Sequence, residues 1–136
     1  MSVLEHGYGR KKLVAIGDSV THGQYVKPEE RWTTLLQEQT EYEVVNKGVC
    51  GDTTRAGLER FPADVQNQNP DVVLIQFGFN DCNKWKTDNG LHRVSLAAFK
   101  ANLLEMICRV QHCGAKAVLV PMFHADRGHD YRRWQD

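Results

Sequence analysis

Apolar residues in this chain fall into short blocks separated by polar, glycine-rich stretches, and the blocks follow two different periods. Leu13 to Ile16, Val72 to Phe77 and Ala117 to Val120 are near-continuous apolar runs, which is how parallel strands covered by helices on both faces read. Another short run, Tyr42 to Val45, predicts a strand that ends at Asn46. Between these blocks the spacing changes to three and four. Phe99, Leu103, Met106 and Val110 mark one face of a helix that Ser95 caps and Gly114 ends. Pro28-Glu29-Glu30 opens an earlier helix carrying Trp32, Leu35 and Leu36, its acidic residues in the first turn where the helix dipole favours them. Thr53 or Thr54 caps a further helix through Leu58 and Phe61, expected to break or restart at Pro62. Strands alternating with helices predict an open, doubly wound α/β fold: a flavodoxin-like three-layer α/β/α sandwich on a parallel sheet, with four strands present and a fifth missing.

Composition narrows the class without changing this picture. The 136 residues are one domain's worth of chain, with 41% hydrophobic and 25% charged residues, ordinary globular values. Seventeen basic and seventeen acidic side chains leave a formal charge of zero. Nucleic acid is therefore not an expected partner, because nothing supplies the basic excess that a phosphate backbone requires. No apolar run approaches the roughly 20 residues of a membrane span. The basic residues near the N-terminus are not followed by a signal-peptide apolar region, so the expectation is a cytoplasmic protein. Cys50, Cys82, Cys108 and Cys113 form no C-x-x-C pair and are expected as buried free thiols. With no metal-ligand spacing in the chain, no cofactor is expected.

Candidate chemistry collects where such a sheet presents it. Ligands of doubly wound folds sit outside the carboxyl ends of the strands. Those ends are Gly17-Asp18-Ser19, the run from Asn46 through Gly48 to Gly51, Gly78-Phe79-Asn80-Asp81, and the stretch from Pro121 to His124. Three of the four carry small or amide residues. The first turn, GDSVTHG, has neither G-x-G-x-x-G nor G-x-x-x-x-G-K-[ST], so it lacks the signature of a nucleotide site. A serine at a strand-to-helix turn instead projects its hydroxyl into the cleft, where it can attack a carbonyl. The surrounding residues are not the G-x-S-x-G elbow of α/β-hydrolases.

They resemble the SGNH, or GDSL-type, hydrolase family. Its first block matches Gly17-Asp18-Ser19 with Thr21 and Gly23 following, its second the run Asn46 to Thr54 with the glycine at Gly51, and its third Gly78-Phe79-Asn80-Asp81. The blocks occur in order, each after an expected strand. The resemblance implies an esterase, lipase or acylhydrolase with Ser19 as nucleophile. Its oxyanion would be held by the N–H groups of Ser19 and Gly51 and by the Asn80 side-chain amide. The residue types suit those roles, since Gly51 lacks a Cβ that would hold substrate away and an amide donates without charge. Asp18, Asp81 and Asn46 read as structural acceptors and loop organisers. A small-molecule ester is the implied partner, and Phe79, Asn83 and Trp85 are candidates to line its pocket.

A serine nucleophile needs a histidine base and an acceptor that orients it. The family draws both from a D-x-x-H motif after a fifth strand. The chain contains one such string, Asp126-Arg127-Gly128-His129, but nine aspartates and six histidines yield about 0.4 matches by chance. Its place directly after the fourth strand is also too early. His22 and His124 lie at the correct edge without a motif; His6, His92 and His112 read as surface residues. The expectation is a single domain over residues 1–136 that forms the N-terminal portion of a longer hydrolase and lacks the acid–base pair. The alternative is a non-catalytic module that binds a small molecule or carbohydrate on the same fold.

Overall fold

The computed structural model describes residues 9–84 and 90–122. Four strands, β1 (Lys12–Gly17), β2 (Glu43–Gly48), β3 (Val72–Gln76) and β4 (Lys116–Leu119), form an all-parallel sheet in the order β2-β1-β3-β4. The helices are α1 (Ser19–His22), α2 (Trp32–Gln39), α3 (Thr54–Asp64) and α4 (Leu96–His112). Connections leave β1 in both directions, so the topological switch lies between β1 and β3. This is the doubly wound α/β arrangement expected from the alternating pattern. Among the described residues, no helix is long and apolar enough to cross a membrane.

The core follows from strand alternation. Val14 and Ile16 of β1 and Val73 and Ile75 of β3 point to one face, where Phe61 of α3 and Met106 and Val110 of α4 close over them. Leu13 and Ala15 are buried on the opposite face. Ser95 caps α4 by accepting from the Ala98 amide at 3.2 Å, and Thr53 caps α3 through the Ala56 amide at 3.3 Å. These caps define where each helix leaves its loop, and for α3 that loop contains Gly51.

Several local expectations need correction. Pro28–Glu30 is a separate 3-10 turn, and α2 begins only after Arg31, whose ψ of 141° is extended. The bend lets the Trp32 indole donate to the Val20 carbonyl at 3.2 Å, tying α2 to the turn after β1. Pro62 does not break α3, which continues to Asp64. Proline so near the helix end removes little, and fully buried Phe61 with the Arg60–Asp64 pair at 2.9 Å holds the last turn. β2 runs past Asn46 to Gly48. The Asn46 amide is accommodated in the strand because it donates to the Thr21 carbonyl and the Thr33 hydroxyl, both at 2.9 Å, while its oxygen accepts from the Gly48 amide. The four cysteines are free but exposed, not buried. Cys50 and Cys82 sit in loops, Cys108 lies off the buried stripe of α4, and Cys113 ends that helix.

The turn from β1 into α1 is the tightest junction. Asp18 is the N-cap of α1, accepting from the Val20 amide at 2.9 Å, and it is fully buried. Burial pushes its carboxyl above the usual range, and the Asp81 charge adds to this; the Val20 amide and the Gln76 side chain offset part of the effect. Gly48 lies directly beneath α1, where a Cβ would run into the His22 backbone nitrogen.

Two outcomes follow from this junction. Gly48→Ala is expected to destabilise the fold by about 1–3 kcal/mol in urea titrations, because backbone rather than a pliable side chain must yield. An unchanged midpoint would show that α1 does not rest on β2. For Asp18, a raised folded-state pKa means the native state holds its proton more tightly than the unfolded chain. Its burial cost is therefore absent in acid and sets in as pH rises above the unfolded value near ~4. Whatever its constant offset, the melting temperature of Asp18→Asn should gain on wild type between about pH 4 and pH 7; a pH-independent difference would contradict the assignment.

Candidate active site

Parallel pairing brings the ends of β1, β2 and β3 to one level, since Gly17 is in register with both Gly48 and Gln76. Ser19 is the first residue of α1 and is half-buried. Two residues on, Thr21 is buried and donates through its hydroxyl to the Gln76 Oε1 at 2.9 Å, fixing α1 against the end of β3. The backbone N–H of Ser19 donates to no group among the described residues.

The loop after β2 starts at Val49, whose amide donates to the Gly17 carbonyl at 3.0 Å, and it turns back as the Asp52 amide reaches the Val49 carbonyl at 3.2 Å. Gly51 stands at the apex with φ +83° and open space where a Cβ would be. That φ favours glycine. Its N–H is likewise unused among the described residues. Arg93 donates to the Gly51 carbonyl at 3.1 Å, so the peptide is held from its acceptor side.

Asn80 follows β3 and is half-buried. Its Nδ2 donates to the Asp52 carbonyl at 3.0 Å, joining the β3 loop to the residue after Gly51 and leaving one amide hydrogen to spare. Neighbouring Asp81 is buried and serves a different end. Its carboxylate accepts from the Thr54 amide at 3.0 and 3.2 Å and from the Thr54 hydroxyl at 2.5 Å, at the N-terminus of α3. Asn102 of α4 then donates to that hydroxyl at 2.9 Å. Ser19 at the start of α1, and Gly51 and Asn80 in the loops after β2 and β3, thus lie at the carboxyl edge of the sheet.

Histidine is where the site and the sequence part. The His22 Nδ1 lies 3.2 Å from the Gly48 carbonyl and the His92 Nδ1 2.6 Å from the Cys82 carbonyl. Among the described residues, no histidine hydrogen-bonds the Ser19 hydroxyl. Trp85, His124, Asp126 and His129 lie outside the described residues. Among those that are described, no group of three or more His, Cys, Asp or Glu side chains could hold a metal.

An apolar cleft of about 240 Å³ adjoins the Asn80 loop, lined by Gly78, Cys82, Val94, Phe99 and Met122 among others. A second, of about 400 Å³, lies beside Ser19 and includes Tyr25, Arg31 and Trp32. A larger one, near 610 Å³, is lined by Arg10, Thr40 and Tyr42 at the opposite edge of the sheet, away from where doubly wound sheets bind ligands. Sequence reasoning missed Gln76, Asp52 and Arg93 as parts of the site. Gln76 carried a signal, being the one polar residue inside the run Val72 to Phe77; Arg93 carried none.

Comparison with known proteins gives this geometry a family. Residues 15–136 match the model of the GDSL-like Lipase/Acylhydrolase family. An arylesterase of Vibrio mimicus is 32% identical over 115 residues, covering 81% of this chain and 54% of that protein. Esterase TesA of Pseudomonas aeruginosa is 32% identical over 113 residues, covering 79% of this chain and 52% of that protein. The structure of a lipase/acylhydrolase from Enterococcus faecalis superimposes with a TM-score of 0.70 at 32% identity, over 92% of this chain and 62% of that one. The chain spans about half the length of the two curated relatives. By sequence match, fold and the order of its three loop motifs, the chain belongs to the GDSL-like lipase/acylhydrolase family.

Proposed function

We propose that this chain carries the nucleophile and the oxyanion-binding groups of a serine hydrolase that cleaves carboxylic esters. In this reading the Ser19 Oγ bonds to the ester carbonyl carbon while its proton passes to a histidine base. Negative charge gathers on the former carbonyl oxygen. The Ser19 and Gly51 backbone N–H groups and the spare Asn80 amide hydrogen donate to it. Collapse expels the alcohol, which takes up the proton, and water repeats the sequence in reverse to release the acid.

The observation that carries the proposal is the bond from the Asn80 Nδ2 to the Asp52 carbonyl. It anchors one amide hydrogen on the residue after Gly51 and leaves the other unused, which supports a reading in which the loops after β2 and β3 hold their donors before substrate arrives. Preorganised donors of this kind stabilise charge without reorganising during the reaction. The apolar cleft next to Asn80 suits an acyl group, in keeping with relatives named arylesterase and esterase. No described residue is assigned as the base or its orienting acid. Cytoplasmic residence belongs to the same proposal.

In the protein expressed from its complete open reading frame, a fluorophosphonate probe should label Ser19 and p-nitrophenyl acetate should be hydrolysed. Ser19→Ala is expected to abolish labelling and lower kcat by about 10³-fold or more. Asn80→Ala should lower kcat by about 10²–10³-fold with a smaller change in KM. Saturable ligand binding with no Ser19 labelling would contradict the hydrolase and favour a binding module.

A further inference from the structure

We infer that Arg60 is a positioning residue that sets the Ser19 turn and the Gly51 loop relative to one another; this rests on the hydrolase reading above. Arg60 lies within α3, and its guanidinium reaches back to the carboxyl ends of two strands. Nη2 donates to the Gly17 carbonyl at 3.0 Å, two residues before Ser19. Nε donates to the Asp52 carboxylate at 2.7 Å, one residue after Gly51. Nη1 donates to the Lys47 carbonyl at 2.8 Å, near the end of β2, and to Asp64 on its own helix at 2.9 Å.

These contacts do more than an ion pair would. Two of the four acceptors are backbone carbonyls at strand ends, and the side chain is only 19% exposed. Asp64 also meets the Lys47 ammonium at 3.6 Å, which secures Arg60 from behind. Asp52 is the pivot: its carboxylate is held by Arg60, while its carbonyl accepts the Asn80 amide. One planar cation therefore reaches the loop of each proposed oxyanion donor, directly for Ser19 and Gly51 and through Asp52 for Asn80. A lysine keeps the charge, but its ammonium cannot reproduce the fixed fork that meets acceptors on separate loops.

The test is a kinetic double-mutant cycle in the protein from the complete reading frame, with p-nitrophenyl acetate as substrate and thermal melts alongside. Arg60→Lys is expected to lower kcat by about tenfold or more, since small misplacements of reacting groups are costly. KM should stay within about twofold, because the residue does not touch substrate. In the Asn80→Ala background the same substitution should cost clearly less, as one of the donors it aligns is already gone. Should Arg60→Lys lose its cooperative melt, Asp52→Asn, which weakens a single arm, carries the same expectation. An unchanged kcat in a folded variant, or equal losses in both backgrounds, overturns the inference while leaving the hydrolase reading standing. A wild type that neither labels at Ser19 nor turns over ester overturns that reading and the inference together.

Discussion

The position of β1 in the sheet is the constraint on which the site depends. β1 pairs with β2 on one side and β3 on the other, and in both ladders the last residue in register is Gly17. Parallel strands that finish level must send their following loops over the same edge. That is how Ser19, Gly51 and Asn80, separated by roughly thirty residues each in sequence, come to that edge. The hydrophobic pairing of Val14 and Ile16 with Val73 and Ile75 stabilises the register, and a one-residue slip would exchange the two faces of a strand. Packing of the core and placement of the chemistry are therefore one constraint.

Buried polar groups complete what the sheet begins. Gln76 with Thr21, Asn46 with Thr33, and Asp81 with Thr54 and Asn102 each bind a loop or helix end to its neighbour. Hydrogen bonds of this kind contribute only modestly to net stability, yet leaving one partner unpaired is costly. They consequently select one arrangement of the loops over others. The incomplete case is informative. The Asp18 Oδ2 and the Gln76 Nε2 are buried without hydrogen-bond partners among the described residues, directly behind the Ser19 turn. Burial, with the Asp81 charge adding to it, is what holds the Asp18 carboxyl above its usual range.

What could be read from the sequence reflects which forces are local. Apolar runs and the Phe99 to Val110 spacing reported strands and the main helix, because burial imposes its period directly on the chain. The loop motifs were legible because Gly51 and Asn80 are short, distinctive choices immediately after strands. The extra residues of β2 were not, since Asn46 is tolerated there only through α1 and α2, elements distant in sequence. Pro62 misled for the opposite reason: a local rule gave way to the burial of Phe61 and the Arg60–Asp64 pair. The cysteines misled because their small, apolar side chains suggested burial, while their positions in loops and off the α4 stripe exposed them. Arg60 itself is one charged residue among many in the sequence, and only its four acceptors distinguish it.

The proposed ester cleavage at this edge of the sheet requires that the Ser19 and Gly51 N–H groups and the Asn80 amide converge on a single anionic oxygen. A crystal structure of the protein after reaction with a fluorophosphonate would display that convergence or its absence. Phosphorus is expected bonded to the Ser19 Oγ, with one phosphonyl oxygen about 2.7–3.1 Å from all three nitrogens. A phosphonyl oxygen turned toward solvent, with those three donors bonded elsewhere, would contradict the proposed oxyanion site.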